Sequence, residues 1–189
     1  MSANLSLSLQ VFAAPPAALA EGARPLARQV WRGGATDLAT RRMMPDPPRW
    51  LALTDCAAGS AAAAAATGAA VLAWELDQLL PGGQVSPAGA GGVILVAMDI
   101  DPAVEDEFND FYNTEHIPLF LLVPGVIAGR RFRAVRGGPR YIALYHVETT
   151  AVYATPAWMA VNQTPWILRM RRFQRNRTYF MFDTFVGGV

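Results

Sequence analysis

A β-sheet with one face in water alternates apolar and polar residues along each strand. The strongest strand candidates in this chain do not alternate. In residues 93–100, VILVAMDI, both parities are apolar as far as Met98, and residues 141–145 and 179–182 behave the same way. Both faces of such strands must be covered. Helices can shield one face of a small sheet, so the other face calls for a second sheet.

The chain supplies one. Residues 80–92, LPGGQVSPAGAGG, have no apolar period and read as a linker. After it come a strand at 93–100 and a helix opened by Asp101 as N-cap, with Pro102 at the first helical position. Glu105, Asp106 and Glu107 suit its early turns, where the helix dipole favours anions. The helix is expected to run to about His116 and to stop at Pro118. Strands at 126–135 and 140–147 flank the Gly137-Gly138-Pro139 turn. A helix within 151–170, interrupted at Pro165, and a strand at 177–185 complete the half. Before the linker the pattern predicts a strand at 5–13, an alanine-rich helix at 16–30, strands at 37–44 and 49–56, a helix at 60–66 and a strand at 70–76. Both halves read βαββαβ. Arg41-Arg42-Met43 matches Arg130-Arg131-Phe132, and the segment from Pro48 to Leu53 matches that from Pro139 to Leu144. The predicted fold is therefore α+β: two tandem ferredoxin-like repeats, residues 1–79 and 93–189 around the linker 80–92. Their antiparallel sheets are held face to face as an intramolecular barrel by the high effective concentration of a fusion.

Composition narrows the function. Hydrophobic residues make up 52% of the chain and charged residues 16%, which predicts extensive burial and a subunit interface, a homodimer of the tandem unit being one form. The 16 basic residues, all arginine, nearly balance 15 acidic ones, so no electrostatic case exists for nucleic acid or an anionic membrane. The N-terminus lacks a basic leader, and the apolar run 61–74 is too short to span a bilayer, so a cytoplasmic location is expected. Cys56 is a lone cysteine with no histidine near it in sequence and reads as a small buried hydrophobe.

His116 leads the candidate chemistry. Phe108, Tyr112 and His116 are spaced by four and share one helical stripe, with Phe111 and Glu115 beside it. A histidine at a helix C-terminus next to Glu115 would have its cationic form favoured. It could act as a general acid–base or polarise a carbonyl, or simply cap the helix's last carbonyls. Tyr112 could bond His116 or a substrate oxygen, Phe108 could form a wall, and Glu115 could orient the imidazole. His146 lies on the parity of Ile142 and Leu144, which points either into the barrel as a pocket residue or toward the helices as core. On the second strand Arg130 and Arg131 point to opposite faces, and a buried arginine needs a carboxylate, Asp99 or Glu148 or that of an acidic ligand. Trp158 and Trp166 would suit an aromatic ligand. Metal-ligand clusters, dinucleotide and phosphate loops and a nucleophile elbow are all missing, so neither a metal nor a cofactor is called for.

The second half resembles the dimeric α/β-barrel superfamily, particularly its EthD-like branch. The resemblance rests on FNDFYNTEHIPL, with Phe108, Tyr112, His116, Pro118 and Leu119, and on Val123-Pro124-Gly125 downstream. It covers half of the chain; the first half keeps the element order without the motif. It implies an ancestral homodimer replaced by a fusion that kept one site. Relatives of that kind include cofactor-free monooxygenases, isomerases, cyclases, dehydratases and haem enzymes, so it implies a cavity more firmly than a reaction. The expected function is cofactor-independent proton transfer on a hydrophobic or aromatic carbonyl compound, with His116 and Tyr112 catalytic and Phe108, Glu115, Arg131, His146 and Trp166 binding substrate. The alternatives are a non-catalytic small-molecule binder or degenerate protein and, further off, a monooxygenase or a haem protein with His116 or His146 as ligand.

Overall fold

The computed structural model describes residues 5–16, 25–44, 46–61 and 68–188. Among them nine strands form one sheet: β1 (Leu5–Phe12), β2 (Ala27–Asp37), β3 (Arg42–Met43), β4 (Arg49–Ala57), β5 (Ala70–Leu80), β6 (Gly92–Ile100), β7 (Val126–Arg136), β8 (Tyr141–Val147) and β9 (Gln174–Gly188). The order is β3-β2-β4-β1-β5-β7-β8-β6-β9, and β2 also pairs with β9. The sheet thus closes into an antiparallel barrel of eight strands, with β3 folded back on β2 as a short hairpin outside the ring. The two halves use the same internal order, β2-β4-β1-β5 and β7-β8-β6-β9, and meet at β5–β7 and β2–β9.

The two-sided apolar strands are explained by two cores. One parity points into the barrel: Leu7 and Leu9 of β1, Leu51 and Leu53 of β4, Val93 and Leu95 of β6, Ile142 and Leu144 of β8, Phe180 and Phe182 of β9. The other parity of the second half, Ile94, Val96 and Met98 with Tyr141, Ala143 and Tyr145, packs under the helices. Closure at β2–β9 depends on Gly33, because a Cβ there would lie 2.0 Å from the Met181 carbonyl oxygen.

The helical side of the second half is built in short pieces. The Asp101 carboxylate accepts the Ala103 N–H at 3.0 Å, Pro102 opens the first turn, and α1 (Glu105–Phe111) carries three acids in its own first turn. Contrary to expectation, Pro118 does not end the helix. Tyr112–His116 form a π turn, in which the Ile117 N–H reaches back to the Tyr112 carbonyl, and α2 (Ile117–Leu121) continues beyond. The wider turn shifts the backbone pairing by one residue and so accommodates a proline, which has no N–H to give, inside a continuous helix. Thr155 and Thr164 cap α3 (Pro156–Val161) and α4 (Pro165–Met170), so the expected 151–170 helix is broken at Pro156 as well as at Pro165.

The first half departs further from the reading. Residues 17–24 of the expected 16–30 helix, and 62–66 of the expected 60–66 helix, lie outside the described residues. Residues 27–30, expected to be helical, begin β2, because Val30 and Trp31 are buried in a strand lying between β4 and β9. The expected 37–44 strand is instead the β2–β3 hairpin, so the Arg41-Arg42-Met43 match with β7 fails. Trp31, opposite Leu51, holds the place that Phe132 holds opposite Ile142. The Pro48 and Pro139 segments keep their correspondence, leading into β4 and β8 respectively. Cys56 is buried, its thiol donates to the Ser6 carbonyl at 3.3 Å, and burial pushes it up to about 11, the state of an inert thiol.

Candidate active site

In a regular helix, residues four apart drift by about 40° around the axis at each step. The wide turn at Tyr112–His116 absorbs that drift. Phe108, Tyr112, His116 and Phe120 consequently stack in one column, with ring centroids 4.7, 4.7 and 4.8 Å apart in succession. The lower part of this column faces a cavity of about 190 Å³ between the helices and the outer face of the barrel. Val96 and Met98 of β6, Tyr145 of β8 and Tyr179 of β9 form its floor, and Trp158 and Ile167 close it from α3 and α4. Arg171, just after α4, Arg177 of β9 and Arg41 of the β2–β3 hairpin also line it. The first half therefore contributes to the site of the second.

His116 is buried against Phe111, Tyr112 and Phe120. Its Nδ1 is enclosed without a hydrogen-bond partner, and the residue lines the cavity. Burial, reinforced by Arg171 and Arg131, lowers its pKa to about 3. The imidazole is neutral at pH 7, the reverse of the cation expected from a helix C-terminus. The helix does not end there, and desolvation outweighs any dipole. Glu115 does not orient it, because its carboxylate accepts the Thr164 hydroxyl at 2.7 Å, tying the π turn to the cap of α4. Tyr112 lines the cavity, but its hydroxyl donates to Met98 Sδ at 3.7 Å rather than to His116. Burial raises the Tyr112 and Tyr145 phenols, so both remain protonated donors.

The other residues singled out from the sequence lie elsewhere. Phe108 sits above the cavity, between Tyr112 and Tyr141. Trp166 lies across the helices, touching Phe111 and donating to Glu107 Oε1 at 3.2 Å. Arg131 is on the helix side but behind Tyr112. Its guanidinium donates to Asn113 Oδ1 at 2.9 Å and Asn109 Oδ1 at 2.6 Å, and packs on the rings of Phe108, Tyr112 and Tyr141. Burial lowers it to about 10, so it stays charged, held by amide oxygens and ring faces instead of the expected carboxylate. His146 points into the barrel, on the opposite side of β8 from the cavity. There Arg130 pairs with Asp55 at 2.5 Å and donates to the Ser86 hydroxyl at 2.8 Å, both partners fully buried. Neither His146 nitrogen has a partner, and burial with Arg130 nearby lowers its pKa to about 3. The partner of the buried Arg130 is thus Asp55, from the other half, and not Asp99 or Glu148.

Sequence reasoning passed over Tyr145, Tyr179, Arg171, Arg177 and Arg41. The first two share the parity of Ala143 and Met181, which would have placed them with the helices once the face was known. Arg41 carries no such signal, because only barrel closure brings it here. Among the described residues no group of His, Cys, Asp and Glu could hold a metal ion. No helix among them is long and apolar enough to cross a membrane.

No protein-family model matches the chain, and no curated protein matches its sequence. Among the solved structures that share its fold are two covered almost in full. One is a candidate monooxygenase from Fusobacterium nucleatum subsp. nucleatum, 9% identical over 100% of this chain and 95% of that one, with a TM-score of 0.58. The other is an anthrone oxidase-like protein, 11% identical over 100% and 93%, with a TM-score of 0.57. At such identities the likeness establishes the fold alone, an α+β antiparallel barrel.

Proposed function

We propose that this chain is a cofactor-independent enzyme that removes a proton beside the carbonyl of a hydrophobic aromatic compound, with His116 Nε2 as the base. The observation that carries the reading is a neutral imidazole at the wall of an aromatic-lined cavity, its enclosed Nδ1 without a hydrogen-bond partner. The low pKa of His116 reflects what an isolated imidazolium would cost in that wall. Proton transfer from a substrate creates imidazolium and enolate side by side, and the new negative charge offsets that cost. The Tyr145 and Tyr112 hydroxyls can donate to the enolate oxygen. Tyr112 gives up only a weak sulfur acceptor in doing so. Trp158 and Phe120, 4.3 Å apart, offer flat faces to a ring system.

An enolate in this cavity can be reprotonated at another carbon, giving isomerisation, cyclisation or dehydration, or can react with dioxygen. The second outcome is favoured only by the names of the two fold neighbours. Exchange into 2-tetralone, a two-ring ketone with acidic C–H bonds, tests the common step. In D2O the native protein should accelerate deuterium uptake, and His116→Ala should not. Equal acceleration by His116→Ala removes the base, and no acceleration by either protein favours a binder without catalysis. Oxygen uptake in the same mixture separates the two fates. The same strand order in both halves, and the matched Pro48 and Pro139 segments, support a duplication with the boundaries 1–79, 80–92 and 93–189. The FNDFYNTEHIPL segment supports the EthD-like branch.

A further inference from the structure

Among the described residues three arginines line the cavity, and no aspartate or glutamate does. Each comes from a different element, and each rests on a neutral group. The Arg171 guanidinium donates to Asn162 Oδ1 at 3.2 Å, Arg177 donates to the Tyr179 hydroxyl at 2.7 Å, and Arg41 lies over the Tyr153 ring at 5.6 Å. None forms an ion pair among the described residues, although exposed Arg136, Arg140 and Arg169 all do. Arg41 takes φ +57 at the hairpin, a left-handed conformation unfavourable for a side-chain-bearing residue. Arg171 and Arg41 are both partly withdrawn from water. Burial, with Arg177 and Arg41 as like charges, lowers the Arg171 pKa. The neighbouring histidine is neutral and supplies no counter-charge.

We infer that the natural ligand is an aromatic carboxylate whose anionic group seats against Arg171, Arg177 and Arg41, with its ring system lying inward beside His116. This rests on the reading of the cavity as a ligand site and names the substrate class for it. Three cations converging without an acid repel one another, and a carboxylate relieves that repulsion with charge-assisted hydrogen bonds. The size of the cavity sets the body of the ligand. An engineered cavity of about 150 Å³ in another protein holds a benzene, so about 190 Å³ suits one or two fused rings.

The test is calorimetric binding of 2-naphthoate against 2-naphthamide, which has the same shape without the charge. The native protein should bind the naphthoate at least about tenfold more tightly, the worth of one charge-assisted hydrogen bond. The preference should shrink with added salt. An Arg171→Gln/Arg177→Gln protein should lose most of the preference, and Arg41→Gln, on the hairpin outside the barrel, should lose the smaller remaining part. Thermal melts of the unliganded variants establish that they fold. Equal affinities in the native protein, no binding of either compound, or a preference undiminished in the double variant overturns the inference. His116→Ala keeps the preference for naphthoate even if it proves dispensable for deuterium exchange, so the two ideas fail separately.

Discussion

Lowering the pH should destabilise this protein through its two histidines, one on each side of the barrel wall. His116 faces Arg171, Arg131 and the protonated Tyr112, and His146 faces Arg130 with its partner Asp55. Both have pKa values lowered from 6.5 to about 3, chiefly by burial. A histidine with a depressed folded pKa takes up its proton in the unfolded chain first. Stability is therefore full above about pH 6.5, falls as the pH drops, and stops falling near pH 3. At pH 5 each histidine should cost about 2 kcal/mol, and both together about 4 kcal/mol, against a typical total of about 5–15 kcal/mol. Urea unfolding of the native protein and of His146→Leu at pH 8, 7, 6 and 5 measures this. Carboxylate contributions are common to both proteins and cancel. The loss between pH 8 and pH 5 should be smaller by about 2 kcal/mol in His146→Leu. Identical pH dependence in the two proteins would refute the claim that His146 is held neutral inside the barrel.

Two further outcomes test the barrel itself. Asp55→Asn strands the fully buried Arg130 charge beside a neutral amide and should cost about 3–5 kcal/mol by chemical denaturation; a change below about 1 kcal/mol would mean that water reaches the pair. Gly33→Ala sets a methyl against the Met181 carbonyl at the β2–β9 junction and should cost at least about 1–3 kcal/mol, with faster amide exchange along β9. Unchanged exchange there would count against closure through those strands.

The barrel was legible because VILVAMDI is apolar on both parities, and the structure puts one parity in each core. The cap at Asp101 and the breaks before α4 and at the Gly137 turn follow local rules and could be read directly. Pro118 was misread because a π turn depends on packing against the sheet, not on the residue before a proline. In β2, glycines and arginines mask a strand whose identity comes from its neighbours β4 and β9. Alternation says that Tyr145 and His146 point to opposite faces, yet not which of them meets the helices. The side that His146 takes was therefore left open, and the floor tyrosines were missed. Arg41 and Asp55 act on partners in the other half, and no spacing along the chain could have paired them.

Because the chain has only two histidines, selective isotope labelling gives one imidazole signal from each side of the barrel wall, assigned with His146→Leu. During a titration with 2-naphthoate, the His116 signal should shift while that of His146 stays in place. A shift of His146 alone, or of neither, would contradict a working cavity between the helices and the sheet.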